Sequence, residues 1–338
     1  TPYGIFALMQ DRLGNEDYRA IPAYIRENFY TLRIHAEELA RHNAVCMRFE
    51  EITLQDIYTA MSMSADLSEE QKETLCQLEC EMELQNVLPI EQSIECLKQR
   101  VAVGEKVVLI SDMYLPGKAI KAMLQKLDPV LGTLPLYVSS ELGRRKTTGN
   151  IYRFVKKAEN VDYGEWAHYG DDPYQDHTVP GRLGITTVMV EKEPLMQVET
   201  AVLLKEARNP AAQLLSGQAR YARICARRDT QDAAVSTAER MGNSVCGPIL
   251  YSYVAWLLKD GMGRGIKRLY FIARDGYLLK KIADIIIEKQ KLPIETKYIY
   301  GSRRAWRFCS MTEENFQLAR MLSWSYCARI HNISQFAK

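Results

Sequence analysis

Apolar positions in the first hundred residues follow the period of a helix throughout. Pro22 stands where a first helical turn tolerates it, and an amphipathic stretch runs from there to Asn43. Thr53 precedes a short helix predicted to end near Met61. Ser68, with Gln71 three residues later, forms a capping-box signature for a helix through Asn86. Pro89 opens the next helix, and Gly104 is placed to close it.

The pattern then changes. Val107-Val108-Leu109-Ile110 is a short, wholly apolar run of the kind a buried parallel strand needs. A helix over 118–127, a strand over 136–139, a helix over 150–159 and strands over 166–169 and 185–190 follow. Strands alternating with helices predict a parallel sheet covered on both faces, with ligands bound beyond the carboxyl ends of its strands. From about residue 200 helical material runs to Asp260, and the glycine-rich 261–265 stretch reads as a helix stop and turn. A strand over 268–273, a helix over 277–288 and a strand over 296–300 make a second α/β unit. The expected division is therefore 1–104 helical, 105–195 α/β, and 196–338 a helical linker with a second Rossmann-like module.

Composition adds mainly exclusions. Hydrophobic residues make up 47% and charged residues 25%, as in ordinary globular proteins. A formal net charge of +2 leaves no electrostatic footprint for nucleic acid or an anionic membrane. Charges interrupt every apolar run, so no membrane span is expected. The opening Thr1-Pro2-Tyr3-Gly4 has neither the basic nor the apolar stretch of a secretory signal, and it lacks an initiator Met. The eight cysteines form no Cys-x-x-Cys pair and read as reduced thiols, which sets the expectation of a cytoplasmic protein.

Three strand ends carry the candidate chemistry. The first finishes in Ser111-Asp112, the second is followed by Arg144-Arg145-Lys146-Thr147, and the third ends in Gly170-Asp171-Asp172 with Asp176 close behind. Cleaving a phosphate monoester requires anionic oxygens to be neutralised and a nucleophile to be held in line. A hydroxyl and an ammonium group suit the phosphoryl oxygens, and clustered carboxylates suit magnesium. Taken singly, Ser111 reads as a hydroxyl capping the next helix and Lys146 as a solvated loop lysine. Asp171-Asp172 reads as a turn or helix start, and Asp112 as a cap ahead of a substrate contact. Their order at successive strand ends is what favours a phosphate site.

The run Leu109-Ile110-Ser111-Asp112, then Lys146, then Gly170-Asp171-Asp172 with Asp176 resembles motifs II, III and IV of the haloacid dehalogenase (HAD) superfamily. The Ser111-Asp112-Met113-Tyr114-Leu115-Pro116 and Lys146-Thr147-Thr148-Gly149 segments are similar to a bacterial branch that accompanies glycosyltransferases and surface-polysaccharide biosynthesis. The resemblance implies a HAD-like Rossmannoid sheet with an N-terminal helical cap, a Mg2+ cofactor, a small phosphorylated metabolite as substrate, and a glycosyltransferase partner or fusion. It makes Ser111 and Lys146 phosphoryl ligands, with Asp112 beside them. Asp171 becomes the metal ligand, assisted by Asp172 or Asp176. The family's first motif, an Asp-x-Asp after an apolar strand, is missing from residues 1–338. The nucleophile is accordingly expected upstream of Thr1, and this chain alone is not expected to complete a turnover. A non-catalytic binding or scaffold module is the rival expectation, with a phosphotransferase or phosphomutase as a third.

Arg274-Asp275-Gly276-Tyr277-Leu278 echoes the Ser111–Leu115 run: an apolar strand, Asp-x-Tyr-Leu, then a helix. Asp275, with Arg303 and Arg304 after the next strand, is a candidate second ligand site. A helix-capping aspartate with surface arginines is the plainer reading. His168 is expected to pack in the core. His35 and His42, seven apart, are expected on the surface.

Overall fold

The computed structural model describes residues 3–226 and 233–301, together with 306 and 312. The chain forms two compact units, Thr1–Cys246 and Gly247–Lys338. The segments expected as 1–104 and 105–195 share the first unit with residues up to 246.

Five helices open the first unit: α1 (Gly4–Leu13), α2 (Ala23–Cys46), α3 (Leu54–Ala65), α4 (Glu69–Asn86) and α5 (Glu91–Ala102). Local chemistry sets their limits. Thr53 and Asp56 form one capping box, and Ser68 and Gln71 form the other. Gly104, at φ +81°, takes the left-handed conformation that lets the chain leave α5. α3 runs to Ala65, a turn beyond its predicted end, and closes on Asp66 in a left-handed conformation.

Next come β1 (Leu109–Ser111), α6 (Gly117–Leu127), α7 (Pro129–Thr133), β2 (Leu136–Val138), α8 (Ser139–Leu142) and α9 (Asn150–Glu159). β3 (Ala167–Gly170), α10 (Val179–Arg182) and β4 (Thr186–Met189) follow, and α11 (Gln197–Lys205), α12 (Pro210–Ala226) and α13 (Ala233–Met241) complete the unit. β1 pairs in parallel with β2, and β3 with β4. These are separate two-stranded sheets; among the described residues no continuous sheet joins them. The strands are only three or four residues long, and β1 is half-buried throughout. Parallel strands need cover on both faces and partners on both edges to form a large sheet, and β1 and β3 each have one free edge among the described residues. The α/β alternation of the sequence is therefore present, in a mostly helical chain with small parallel sheets.

The main core lies among α1–α4, where Phe6, Met9, Ile25, Phe29, Ile57, Tyr58 and Leu75 are essentially inaccessible to solvent. Burial of each such side chain contributes about 1.5–3 kcal/mol. Leu115 and Met123, from the β1–α6 segment, belong to this same cluster, and Met113 and Tyr114 pack against it. At its centre Arg33 and Glu79, both 0% exposed, form a two-pronged ion pair of 2.8 and 2.7 Å. Tyr58 donates to the same carboxylate at 2.7 Å, and the guanidinium lies over the rings of Phe6 and Tyr114 at 4.4 and 5.0 Å. A second cluster of Ile151, Tyr152, Val179 and Ile185 sits under β3–β4 and is touched by Ile110 of β1.

The second unit holds α14 (Gly247–Gly263), β5 (Arg268–Ile272), α15 (Gly276–Gln290) and β6 (Glu295–Ile299), with β5 and β6 parallel. Val254, Leu258, Phe271, Ala283, Ile286 and Ile294 form its core. Gly265, at φ +74°, makes the turn predicted after α14. Among the described residues no helix is long and apolar enough to cross a membrane.

Candidate functional site

Lys146 is the meeting point of the strand ends. Its backbone N–H donates to both carboxylate oxygens of Asp112, at 3.0 and 2.9 Å. Its ammonium donates to Asp176 Oδ1 at 2.8 Å. Asp112 follows β1 and Asp176 follows β3, so one residue from the loop after β2 links the ends of both strand pairs. The Lys146 and Asp176 side chains are only 13% and 6% exposed. A charge-assisted bond in that setting is stronger than one on an open surface.

Asp176 is held on all sides. His168 Nε2 lies 3.0 Å from Oδ1, and the Asp172 N–H donates to Oδ2 at 3.1 Å. Gly170 permits this packing, because a Cβ there would overlap the Asp176 carboxylate. Burial alone would push the Asp176 carboxyl up, toward the protonated form. Hydrogen bonds from His168 and Lys146 outweigh it and hold the carboxyl well below the usual carboxylate range. Tyr152, wholly buried on α9, places its hydroxyl 3.2 Å from His168 Nε2 and donates to the Gln175 carbonyl at 2.7 Å. Asp112 differs, since burial pushes its carboxyl up against the lowering effect of the Lys146 N–H.

The other predicted residues take distinct places. Ser111 ends β1 half-buried, and its hydroxyl has no hydrogen-bond partner among the described residues. Neither Ser111 nor Asp112 caps α6, whose N-cap is Pro116 without a side-chain bond. The capping reading of both is corrected, because the 112–116 loop turns Asp112 toward Lys146 instead. Asp172 does begin a helical turn, its Oδ1 accepting from the Tyr174 and Gln175 N–H groups at 2.9 and 2.8 Å. Asp171 is 44% exposed and pairs with Lys192 at 2.6 Å. His168 is buried and His35 and His42 are exposed, as expected.

The three aspartates thus point to three different partners. Among the described residues no group of three or more His, Cys, Asp or Glu side chains converges as a metal cage would. Magnesium commonly takes only one or two protein carboxylates and completes its shell with water and phosphate oxygens. Asp171 Oδ2 is taken by Lys192 and Asp172 Oδ1 by two backbone N–H groups, so one carboxylate oxygen of each stays open among the described residues. Asp176 has none open, since both its oxygens already accept hydrogen bonds.

In the second unit Asp275 stands at the start of α15 with no side-chain cap bond. It is 87% exposed, 3.8 Å from the Arg274 guanidinium. The helix-capping reading of Asp275 is therefore corrected too. Arg303 and Arg304 lie outside the described residues.

Sequence reasoning missed the residues that hold the Lys146 loop from the helical side. Glu50 accepts from Thr148 Oγ1 at 2.8 Å, from the Arg145 N–H at 3.2 Å, and from Asn150 Nδ2. Glu51, whose side chain is 4% exposed, accepts from Ser139 Oγ at 2.9 Å and Arg41 Nη1 at 3.3 Å. Two adjacent acids in a loop between helices ordinarily signal a solvated turn, so no local pattern marks them. Tyr152 and His168 carried a weak signal as polar-tipped residues on otherwise apolar faces.

No protein-family model and no curated protein matches the chain.

Proposed function

We propose that Ser111, Lys146 and the Asp171-Asp172 pair form the phosphate- and magnesium-binding part of a HAD-type phosphohydrolase. Its substrate would be a small phosphorylated metabolite such as a sugar phosphate. The observation that carries this reading is Lys146, fixed by Asp112 and Asp176 where two parallel strand pairs end, with the free Ser111 hydroxyl directly before Asp112. Strand carboxyl ends are where α/β proteins place ligands, and an ammonium with a hydroxyl is a fitting pair of phosphoryl ligands.

In this reading Ser111 donates to one phosphoryl oxygen and Lys146 neutralises another. Asp176 keeps Lys146 aimed, and His168 with Tyr152 keeps Asp176 in place. Asp171 and Asp172 would hold the cation, which when bound supplies further neutralisation of the phosphoryl group. This reading requires a nucleophilic aspartate, which the family's first motif would supply and residues 1–338 do not show as an Asp-x-Asp. The carboxylate oxygen of that aspartate forms a bond to phosphorus as the ester P–O bond breaks, the leaving oxygen takes a proton, and water then cleaves the aspartyl-phosphate. The α1–α5 block borders the site and shapes substrate choice. By its resemblance to the polysaccharide-associated branch, the protein would act in the cytoplasm beside, or fused to, a glycosyltransferase.

A specific observation favours a second reading, a non-catalytic ligand-binding module. Residues 1–338 contain no Asp-x-Asp, and Lys146 is already neutralised by Asp176. Phosphate release from a panel of phosphorylated metabolites with Mg2+, from this chain and from one extended upstream, separates the two. Turnover only by the extended chain, abolished by Asp171→Asn and reduced about 100-fold or more by Lys146→Ala, supports the phosphohydrolase. Silence from both, in folded protein that still binds Mg2+, supports the binding module.

A further inference from the structure

The loop that presents Lys146 is cationic, with Arg144 and Arg145 directly before it. Its consecutive backbone N–H groups at 145 and 146 are each taken by a carboxylate. Lys146 N donates to Asp112, which follows β1, and Arg145 N donates to Glu50, which precedes α3. Glu50 reaches further along the same loop, to the Thr148 hydroxyl and the Asn150 amide. Burial works against the Glu50 carboxylate, but these donors hold it below the usual range, so it stays ionised at neutral pH. Glu51 joins Ser139 and lies 3.6 Å from Arg145 Nε. Ser139 in turn accepts the Met113 N–H at 2.9 Å, one residue beyond Asp112.

The acidic segment is itself fixed. Met47 and Phe49 bond back to Asn43 and Ala44 of α2, and Thr53 begins α3 in a capping box. The Leu54 N–H donates to the Tyr114 carbonyl at 2.9 Å. Side chains gripped in this way hold a neighbouring functional group to the sub-ångström tolerance that binding sites need.

We propose that Glu50, supported by Glu51, is a positioning residue for Lys146, so that the helical segment builds part of the candidate site. This deepens the phosphate-site reading and rests on it only for what Lys146 then contacts. Glu50 touches neither Lys146 Nζ nor any substrate atom; it acts by fixing the 145–150 backbone from which Lys146 reaches Asp176. A helical block joined to the loop at Glu50 and Glu51 also cannot swing away as a separate lid without breaking those bonds.

The test is the rate at which acetic anhydride labels Lys146 in the full chain, read by mass spectrometry, with Lys98 as internal control. In the wild type Lys146 should label slowly. Glu50→Ala should raise its rate roughly three- to tenfold, the effect of losing a net hydrogen bond, with Lys98 and the melting temperature nearly unchanged. Glu50→Gln, which keeps an acceptor oxygen, should restore most of the protection, and a purely bulk destabilisation would not show that rescue. Thr148→Val, an exposed change, should give a smaller increase and serves if Glu50→Ala folds poorly. Wild-type labelling rates in both Glu50→Ala and Thr148→Val would overturn the proposal. Adding inorganic phosphate with Mg2+ separates the two readings. If phosphate protects no variant while Glu50→Ala still unmasks Lys146, the positioning role stands and the phosphate site falls.

Discussion

Two loops in this protein share the pattern of an apolar strand, Asp-x-Tyr-Leu, and a helix, yet they end in different states. After β1, Asp112 is half-buried with both oxygens on the Lys146 N–H, and Leu115 is 0% exposed in the main core. After β5, Asp275 is 87% exposed, and Tyr277 and Leu278 are 54% and 52% exposed. The middle residue separates them. Gly276 folds so tightly over β5 that a Cβ would lie 2.9 Å from the Phe271 carbonyl carbon. Met113 leaves room for its N–H to bond with Ser139. The first loop is drawn into a network by groups from α2, α4 and the 139–150 segment, whereas the second makes a ring contact from Tyr277 to Tyr298 of β6 but leaves Asp275 exposed. A short motif fixes a turn; distant partners decide whether that turn becomes a site.

The comparison can be broken most severely from beneath the first loop. Glu79→Ala leaves Arg33 charged and buried under Tyr114, and should cost about 3–5 kcal/mol in denaturant unfolding. A loss below about 1 kcal/mol would mean that the pair does not support this loop. In the second unit, Gly276→Ala should cost about 1–3 kcal/mol through overlap with Phe271, measured by thermal unfolding. A neutral result would show that the tight turn is not what separates the two loops.

The aspartates themselves offer a finer contrast. Asp112→Asn loses a charge-assisted bond and should cost about 1–3 kcal/mol, while Asp275→Asn should stay within about 0.5 kcal/mol. Equal effects would erase the distinction. A pH-dependent effect concerns Glu83, one turn beyond Glu79 on α4. Burial, reinforced by the charge on Glu79, pushes its carboxyl up from 4.5 to about 7. An acid raised on folding is destabilising once ionised, so the penalty is absent below 4.5 and complete above 7. Glu83→Gln should therefore stabilise by about 1 kcal/mol at pH 8 and have little effect at pH 4.

Much of the local structure was legible in the sequence. The helix over 150–159 has the observed limits, the Ser68–Gln71 capping box forms, and the strands fall within a residue or two of their predicted places. Those features are governed by neighbours in sequence. The chemistry at the strand ends was legible as residue types but not as partnerships. Nothing near Asp176 predicts that it faces Lys146 and His168 while Asp171 turns to Lys192. The single expected sheet was beyond reach for a related reason, since edge pairing depends on what lies beside a strand in space.

The Glu50 contacts also say something about the order of assembly. They span 95 to 100 residues of chain, and the Glu51–Ser139 bond spans 88. The Arg33–Glu79 pair closes over only 46. During synthesis the α1–α4 core has all its partners in hand well before Asn150 leaves the ribosome, apart from the few residues it takes from the β1–α6 segment. Until then Glu50 waits as an uncompensated charge at the corner of a nearly finished bundle. The late-emerging basic loop is then captured by an early-formed acidic corner, and the site closes only when Asp176 follows to take the Lys146 ammonium.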